Sequence, residues 1–477
     1  MPTSVSTERV EEFRAGWPVK GGLALAILLR VAWPFGASPT HVDEGGWPLS
    51  VRQWAVDGLV TYDFHNAPGY HVLLGAVFKL APPLLLTARL FSVLLSLASL
   101  WLLWWAARRI LNDGRAAWWA ALLWATCFPA NDIAGRALIE PVQLVWLLAL
   151  LAALVATGRG AFVLVAATTA ALLLTKVNAV VILPAFIAAA IWDRSPAVST
   201  RRRQKLSGLG VGVLFAALVY CGLYLSDPST FERGWSGTMT MAHVTLEASE
   251  LRLGRFVVDP GVIERLVEFL GSQTPYLLAF GLAGTVRALL RRQALGVALW
   301  VALLLPFLLV QVFYSPHYFA ILYPALAIVT AALLAGAWAT ESGRWRWPSL
   351  VVGLIAFDGL GRTAASIAAR EAEERPAVRW MSANAQDGVV LGAPYILMQL
   401  PNRGVSLFEL DDRDFTPDST TLSKVTWIAV DSREWLPQLL RAGFAPSTVS
   451  DFFARCCDEA YADAVVRVYR VRSGGAR

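Results

Sequence analysis

The stretch GGLALAILLRVAWPFGASPTHVDE, residues 21–44, decides the fold class. Arg30 is its one charge before the paired acids Asp43 and Glu44, which follow a Pro-Phe-Gly-Ala-Ser-Pro exit. An apolar run of this length reads as a membrane-spanning helix. The residues ahead of it mix acids with bases (Glu8, Arg9, Glu11, Glu12, Arg14), and no small-residue cleavage site follows it, so it reads as a retained first span rather than a removed signal.

The same signal recurs along the chain at 84–107, 116–131, 138–157, 160–176, 178–193, 206–226, 270–288, 293–312, 318–339 and 348–366. The expectation is an α-helical polytopic membrane protein with about eleven transmembrane helices. Composition agrees: the 477 residues are 56% hydrophobic and 16% charged, where soluble domains carry about 25% charge. A soluble enzyme, a disordered regulator and a nucleic-acid binder working through basic charge are thereby excluded. The four cysteines supply neither a disulfide framework nor a C-x-x-C metal pattern. No internal repeat or low-complexity segment is present.

Charge sets the orientation. With the N-terminus inside, 17 of the 28 basic residues before position 370 fall on the inner side, and 13 of the 20 acids fall outside. Both skews follow the positive-inside pattern, and place the protein in a plasma or inner cell membrane with a cytoplasmic N-terminus. Two polar segments then lie outside, 38–83 and 227–269. Within the first, Pro68–Phe78 is too short to cross and reads as an interfacial helix. The run Arg201-Arg202-Arg203-Gln204-Lys205 is an inner-face signal and anionic-lipid contact. The Trp104-Trp105 and Trp118-Trp119 pairs read as an aromatic belt at the inner face.

Composition changes near residue 370, dividing the chain into a membrane module, 1–369, and a small C-terminal α/β domain, 370–477, expected outside. Its pattern predicts helix 375–385, strand 388–392, a short helix 395–400, strands 405–408 and 425–430, helix 433–441 and strand 465–471. Asp358 and Arg362 in the last span are spaced to pair.

After topology accounts for most charges, a remainder gathers at the outer ends of the helices. Asp43-Glu44 stands at the mouth of the bundle, where partial desolvation makes a carboxylate a better general base. The alternative is a solvated pair of acids. Arg136 presents a fork of donors suited to a phosphate or a lipid headgroup. Glu140-Pro141 suits either a site or a helix start. Arg30 and Lys176 are intramembrane cations that need a partner or a cavity; Arg30 stands between a functional role and an ion pair or snorkelling, and Lys176 leans to function. His65 and Tyr70 start the interfacial helix, with His71 read as structural, and His317-Tyr318 enters the tenth span. Arg89 reads as helix-end snorkelling or a pair with a nearby acid. His243, Glu247 and Glu250 read as a solvated helix face rather than a metal site.

Asp43-Glu44, His65-x-x-Pro68-x-Tyr70, Arg89-Leu90-x-Ser92, Arg136 with Glu140-Pro141, Thr175-Lys176 and His317-Tyr318 near Pro324 occur in that order over residues 20–340. Together they resemble the GT-C membrane glycosyltransferases of the protein O-mannosyltransferase and aminoarabinose transferase type. The resemblance implies transfer of one sugar from a polyprenyl-phosphate donor to an acceptor hydroxyl on a protein, lipid or glycan at the outer face, usually with inversion. It implies Asp43, paired with Glu44, as the base. Arg136, Lys176, Glu140, His65, Tyr70, Arg30, His317 and Tyr318 would then lie around the donor phosphate. Asn66-Ala67 and Gly45-Gly46 depart from the residues several relatives carry there. No cofactor is implied; a divalent metal stays open as an alternative, which the lack of an Asp-x-Asp pair at the site disfavours. The competing class is a transporter or flippase for an anionic lipid-linked substrate, which would favour inverted repeats and midplane charges.

Overall fold

The structure is a computed structural model that describes residues 16–36, 42–58, 67–192, 201–229, 231–232, 273–292, 294–309, 319–338, 347–368, 375–385, 387–401, 403–406, 424–431 and 446–472. Helix dominates, and every expected apolar run contains one. The helices are α1 (Trp17–Gly36), α2 (Val42–Arg52), α3 (Pro68–Leu80), α4 (Leu85–Leu111), α5 (Gly114–Thr126), α6 (Phe128–Ala134), α7 (Glu140–Val155), α8 (Ala161–Thr175), α9 (Leu183–Trp192), α10 (Arg202–Ser226), α11 (Pro275–Arg291), α12 (Leu295–Leu309), α13 (Tyr323–Trp338) and α14 (Trp347–Ala368).

Among the described residues, α4, α10, α14 and most of α1 are long and apolar enough to cross a membrane unaided. The others are shorter than the expectation of one full span per run. The run 116–131 divides at Cys127 because Pro129, in the first turn of α6, lacks the N–H that would continue α5. The run 178–193 opens as a 3-10 turn, Val177–Ile182, before α9. A helix as short as α7, 16 residues, rises about 24 Å, less than a hydrocarbon core of about 30 Å.

The core of the bundle forms where α8 packs on α10 and α7, α11 on α13, and α4 on α7 and α5. At the expected inner end the tryptophans do more than line a belt. Trp104 lies 5.4 Å from Trp118, Arg108 stands over Trp104 at 5.7 Å, and Arg115 over Trp338 at 4.5 Å. Such cation–π contacts hold the basic residues against the helices. Lys205 departs from its expected lipid contact, because its side chain is fully buried while Arg202 and Arg203 stay exposed.

The stretch expected as an interfacial helix forms α3. It buries Tyr70, His71, Leu74 and Phe78 on one face and leaves Val72 and Leu80 exposed. At the other end of the chain, α15 (Arg375–Asn384), β1 (Val389–Gly392), α16 (Pro394–Leu397), β2 (Arg403–Ser406) and β3 (Val425–Asp431) follow the predicted order. The expected helix 433–441 lies outside the described residues. Two elements were not expected: α17 (Pro446–Cys456) and β4 (Cys457–Ala462), ahead of β5 (Val466–Val471). The sheet order is β2-β1-β3-β5-β4, with β1 parallel to β2 and β3 and the β5 pairings antiparallel. As an edge strand, β4 carries Asp458 and Glu459 toward solvent, and this charged pattern hides it from a search for alternating apolar residues.

Candidate active site

Four helix ends bring charge together. Glu44, in the first turn of α2, is completely buried. Arg89, in the second turn of α4, donates from Nε to Glu44 Oε1 at 2.6 Å and from Nη1 to the Pro34 carbonyl at 3.2 Å. The second bond satisfies a carbonyl in the last turn of α1, where the helix dipole favours a cation. Arg136 follows α6, with Nη1 3.5 Å from Glu44 Oε2 and Nη2 donating to Asp132 Oδ1 at 2.9 Å. Glu44 is thus clamped between two guanidinium groups, neither of which has more than a tenth of its side chain exposed.

Beside this clamp, Lys176 donates from Nζ to Glu140 Oε1 at 2.5 Å. Glu140 opens α7, with Pro141 next to it, so a helix start and a site residue are the same side chain. Lys176 caps the end of α8 in an extended conformation. Its side chain retains 22% exposure, more than either arginine of the clamp. Tyr70 of α3 is buried and donates to the Ala137 carbonyl at 3.4 Å. Burial, with Glu140 and then Glu44 nearby, pushes its phenol well above the ordinary value, so it acts as a neutral donor. Burial would lower the Arg136 guanidinium, but Asp132 and Glu44 reverse that and raise it. The loop carrying Arg136 is pinned at Gly135, where a Cβ would stand 2.0 Å from Cδ1 of the buried Trp33.

The sequence expectations divide accordingly. Glu44 pairs with Arg136, Glu140 pairs with Lys176, and Tyr70 stands near both acids. Glu44 holds a different position from the one a base requires: buried and doubly ion-paired, it organises the two arginines. Asp43 occupies the first turn of α2 beside it, and its side chain lies outside the described residues, as do His65, His317, Tyr318 and the His243-Glu247-Glu250 group. Arg30 is a correction. It is fully buried with neutral partners, Asn131 Oδ1 at 2.6 Å, Ser96 Oγ at 2.9 Å and the carbonyls of Trp124 and Ala125 at 3.0 and 3.4 Å, so it crosslinks helices rather than facing a phosphate. Asn131 extends that network to Thr363 of α14. His71 is structural as expected, its Nε2 3.3 Å from Ser50 Oγ of α2.

Sequence reasoning left Arg89 between two roles and gave Asp132 none. A signal existed for each. A cation in the opening turns of a helix opposes the helix dipole and calls for an acid nearby. Asp132 and Arg136 stand at i and i+4.

The family of dolichyl-phosphate-mannose-protein mannosyltransferases matches residues 65–221, which include α3 to α9 and thus Arg89, Arg136, Glu140 and Lys176. No curated protein matches the chain. Among solved structures, ArnT from Cupriavidus metallidurans in the apo state superposes with TM-score 0.66 at 16% identity, over 96% of this chain and 98% of that one. The same protein bound to undecaprenyl phosphate gives TM-score 0.64 at 14% identity, over 96% and 99%. The Archaeoglobus fulgidus oligosaccharyltransferase in its apo form gives 0.54 at 14% identity, over 96% of this chain and 75% of that one. The chain therefore has the fold of the GT-C membrane glycosyltransferases, end to end with ArnT.

Proposed function

We propose that this protein is an integral membrane glycosyltransferase that moves a single hexosyl or pentosyl unit from a polyprenyl-phosphate donor to an acceptor hydroxyl at the outer face, with inversion. The observation that carries the reading is the buried clamp of Glu44 by Arg89 and Arg136, with Lys176 and Glu140 beside it, immediately after Asp43. A solved relative in fold is bound to undecaprenyl phosphate, which supports a lipid-phosphate donor.

In this mechanism the Asp43 carboxylate takes the proton of the acceptor hydroxyl. The acceptor oxygen attacks the anomeric carbon from the face opposite the phosphate. The bond from that carbon to the phosphate oxygen breaks, and its electron pair leaves on polyprenyl phosphate, which gains one negative charge. Lys176 and Arg136 stabilise that charge, and Tyr70 contributes a neutral donor. Glu44 and Arg89 hold the constellation in place. His65, His317 and Tyr318 are assigned to the donor side of the same pocket. Stabilisation of the leaving phosphate is assigned to these side chains.

The same reading has about eleven crossings, a cytoplasmic N-terminus and residues 370–477 as an outer-face α/β domain, in a plasma or inner membrane. Contacts between α2 and α16 support placing that domain on the side of Asp43. The test is Asp43→Asn. It abolishes transfer from a radiolabelled polyprenyl-phosphate sugar while folded protein accumulates normally; transfer at the wild-type rate refutes Asp43 as the base.

A further inference from the structure

The C-terminal sheet is joined to the helix that carries Asp43 and Glu44 by contacts that leave no slack. Directly after Glu44, Gly45 approaches α16 so closely that a Cβ there would lie 2.2 Å from the Tyr395 nitrogen and 2.5 Å from its Cα. At the end of α2, Arg52 donates to the Leu400 carbonyl at 2.9 Å and the Pro401 carbonyl at 3.0 Å, and Gln53, which opens the π-helical turn that follows, donates from Nε2 to the Gly404 carbonyl at 3.1 Å. The other arm of the clamp meets the same segment, because the Leu85 N–H that opens α4 donates to the Met398 carbonyl at 2.8 Å. Tyr395 is anchored in turn, its hydroxyl donating to the buried Asp431 at the end of β3. One apolar core runs through the junction and includes Leu49, Tyr70 and Leu85 together with Tyr395, Leu397 and Met398.

We infer that residues 393–401, with Gly404 of β2, are a positioning element of the reaction: they fix α2 and the start of α4 relative to each other, and so set where the Asp43-Glu44 pair stands against Arg89. Their backbone carbonyls do this, satisfied by the Arg52 and Gln53 side chains and by the Leu85 N–H. A displacement of about 1 Å at such a site lowers turnover by up to about a hundredfold without touching a reacting group. This inference rests on the transferase reading above.

The experiment compares Gly45→Ala with Gly46→Ala in the full-length protein. The two make the same change in helix propensity in neighbouring positions, but a Cβ at Gly46 has nothing within 4 Å. Gly45→Ala is expected to lower kcat about tenfold or more with the donor KM within about twofold, and to speed amide hydrogen exchange in α2 and at Leu85. Gly46→Ala is expected to match wild type in both. A wild-type kcat in Gly45→Ala overturns the inference, as does a loss expressed equally in donor KM, or an equal effect in Gly46→Ala. Should Gly45→Ala fail to accumulate folded, Gln53→Ala takes its place. It removes the single bond to Gly404, and about a threefold loss in kcat alone is expected; an unchanged kcat overturns the inference. If the wild-type protein shows no sugar transfer, the transferase reading fails, and the exchange measurement still reports the junction separately.

Discussion

Glu44 and Arg89 form the most deeply buried ion pair of the site, and a double-mutant cycle measures what it contributes. Glu44 is fully buried and its two partners are at most 9% exposed, so water cannot replace a lost contact. Removing one member of a buried pair leaves an uncompensated charge and destabilises by about 3–5 kcal/mol. In Glu44→Gln the amide oxygen can still accept from Arg89, the Pro34 carbonyl remains, and Asp132 still neutralises Arg136. The expected loss is therefore near the lower bound, about 3 kcal/mol, or roughly a hundredfold in the folded-to-unfolded ratio. Arg89→Gln leaves the Glu44 carboxylate with Arg136 alone at 3.5 Å, and the expected loss is similar. Replacing both removes the orphan charge, so the cycle closes with a coupling of about 2–3 kcal/mol. Glu140 and Lys176 provide the comparison. Their bond is as short, yet Lys176 is 22% exposed and can turn to solvent, so coupling there stays at about 1 kcal/mol or below. Unfolding free energies measured on purified protein in bicelles decide the matter. A Glu44–Arg89 coupling below about 0.5 kcal/mol, or one no larger than that of Glu140 and Lys176, refutes the argument from burial.

Three further outcomes follow from particular contacts. Tyr70 keeps its proton in the folded state at pH values where the unfolded phenol, near 10.0, loses it, so its contribution to stability is full below that value and declines as pH rises above it. Thermal stability of Tyr70→Phe should accordingly fall less steeply than wild type above pH 10.0, and parallel curves would contradict the assignment. Gly135→Ala places a methyl group 2.0 Å from Trp33 and should lower stability by about 1–3 kcal/mol, measured by the same unfolding assay; a neutral effect would mean that the Arg136 loop is not pinned there. A cysteine at the exposed turn residue Ala464, in a background lacking the four native cysteines, should react with a membrane-impermeant maleimide added outside intact cells. Protection there would place the C-terminal sheet on the other side.

Apolar runs were easily read from the sequence because lipid admits few alternatives to a helix whose backbone groups bond internally. Helix lengths were harder, since a Pro such as Pro129 stops a helix without making the run less apolar. The site showed a similar division. Filtering charges by topology left Glu44, Arg136, Glu140 and Lys176 together, and in the structure they form two ion pairs, Glu44–Arg136 and Glu140–Lys176, with Tyr70 near both acids. The same filter also retained Arg30, because a buried arginine satisfied by Asn131, Ser96 and two carbonyls looks, in sequence, like one waiting for a phosphate. Contacts across the chain decide between the two, and Asn131 lies a hundred residues away. For the same reason nothing in the local pattern around Gly45 announces Tyr395.

Charge balance within the site limits how a phosphate could be held there. Arg89, Arg136 and Lys176 oppose Glu44, Asp132 and Glu140, so the named groups other than Asp43 sum to zero. An anionic donor therefore has to be received by a cation that can loosen its existing partner. Arg89 cannot do so without also releasing the Pro34 carbonyl, and Arg136, held by two acids at once, stabilises the leaving charge through space without exchanging partners. Lys176 pairs with Glu140 and has the largest exposure of the three. It is also a flexible point charge rather than a planar fork, so exchanging a carboxylate oxygen for a phosphate oxygen requires little reorganisation. If it is the receiving cation, Lys176→Met should raise the donor KM and lower kcat together, because the phosphate is bound in the ground state and gains charge in the transition state. Glu140→Gln should tighten donor binding while weakening Lys176's anchorage. A Glu140→Gln variant that binds polyprenyl phosphate more weakly than wild type would show that Glu140 holds Lys176 in place for the phosphate rather than competing with it.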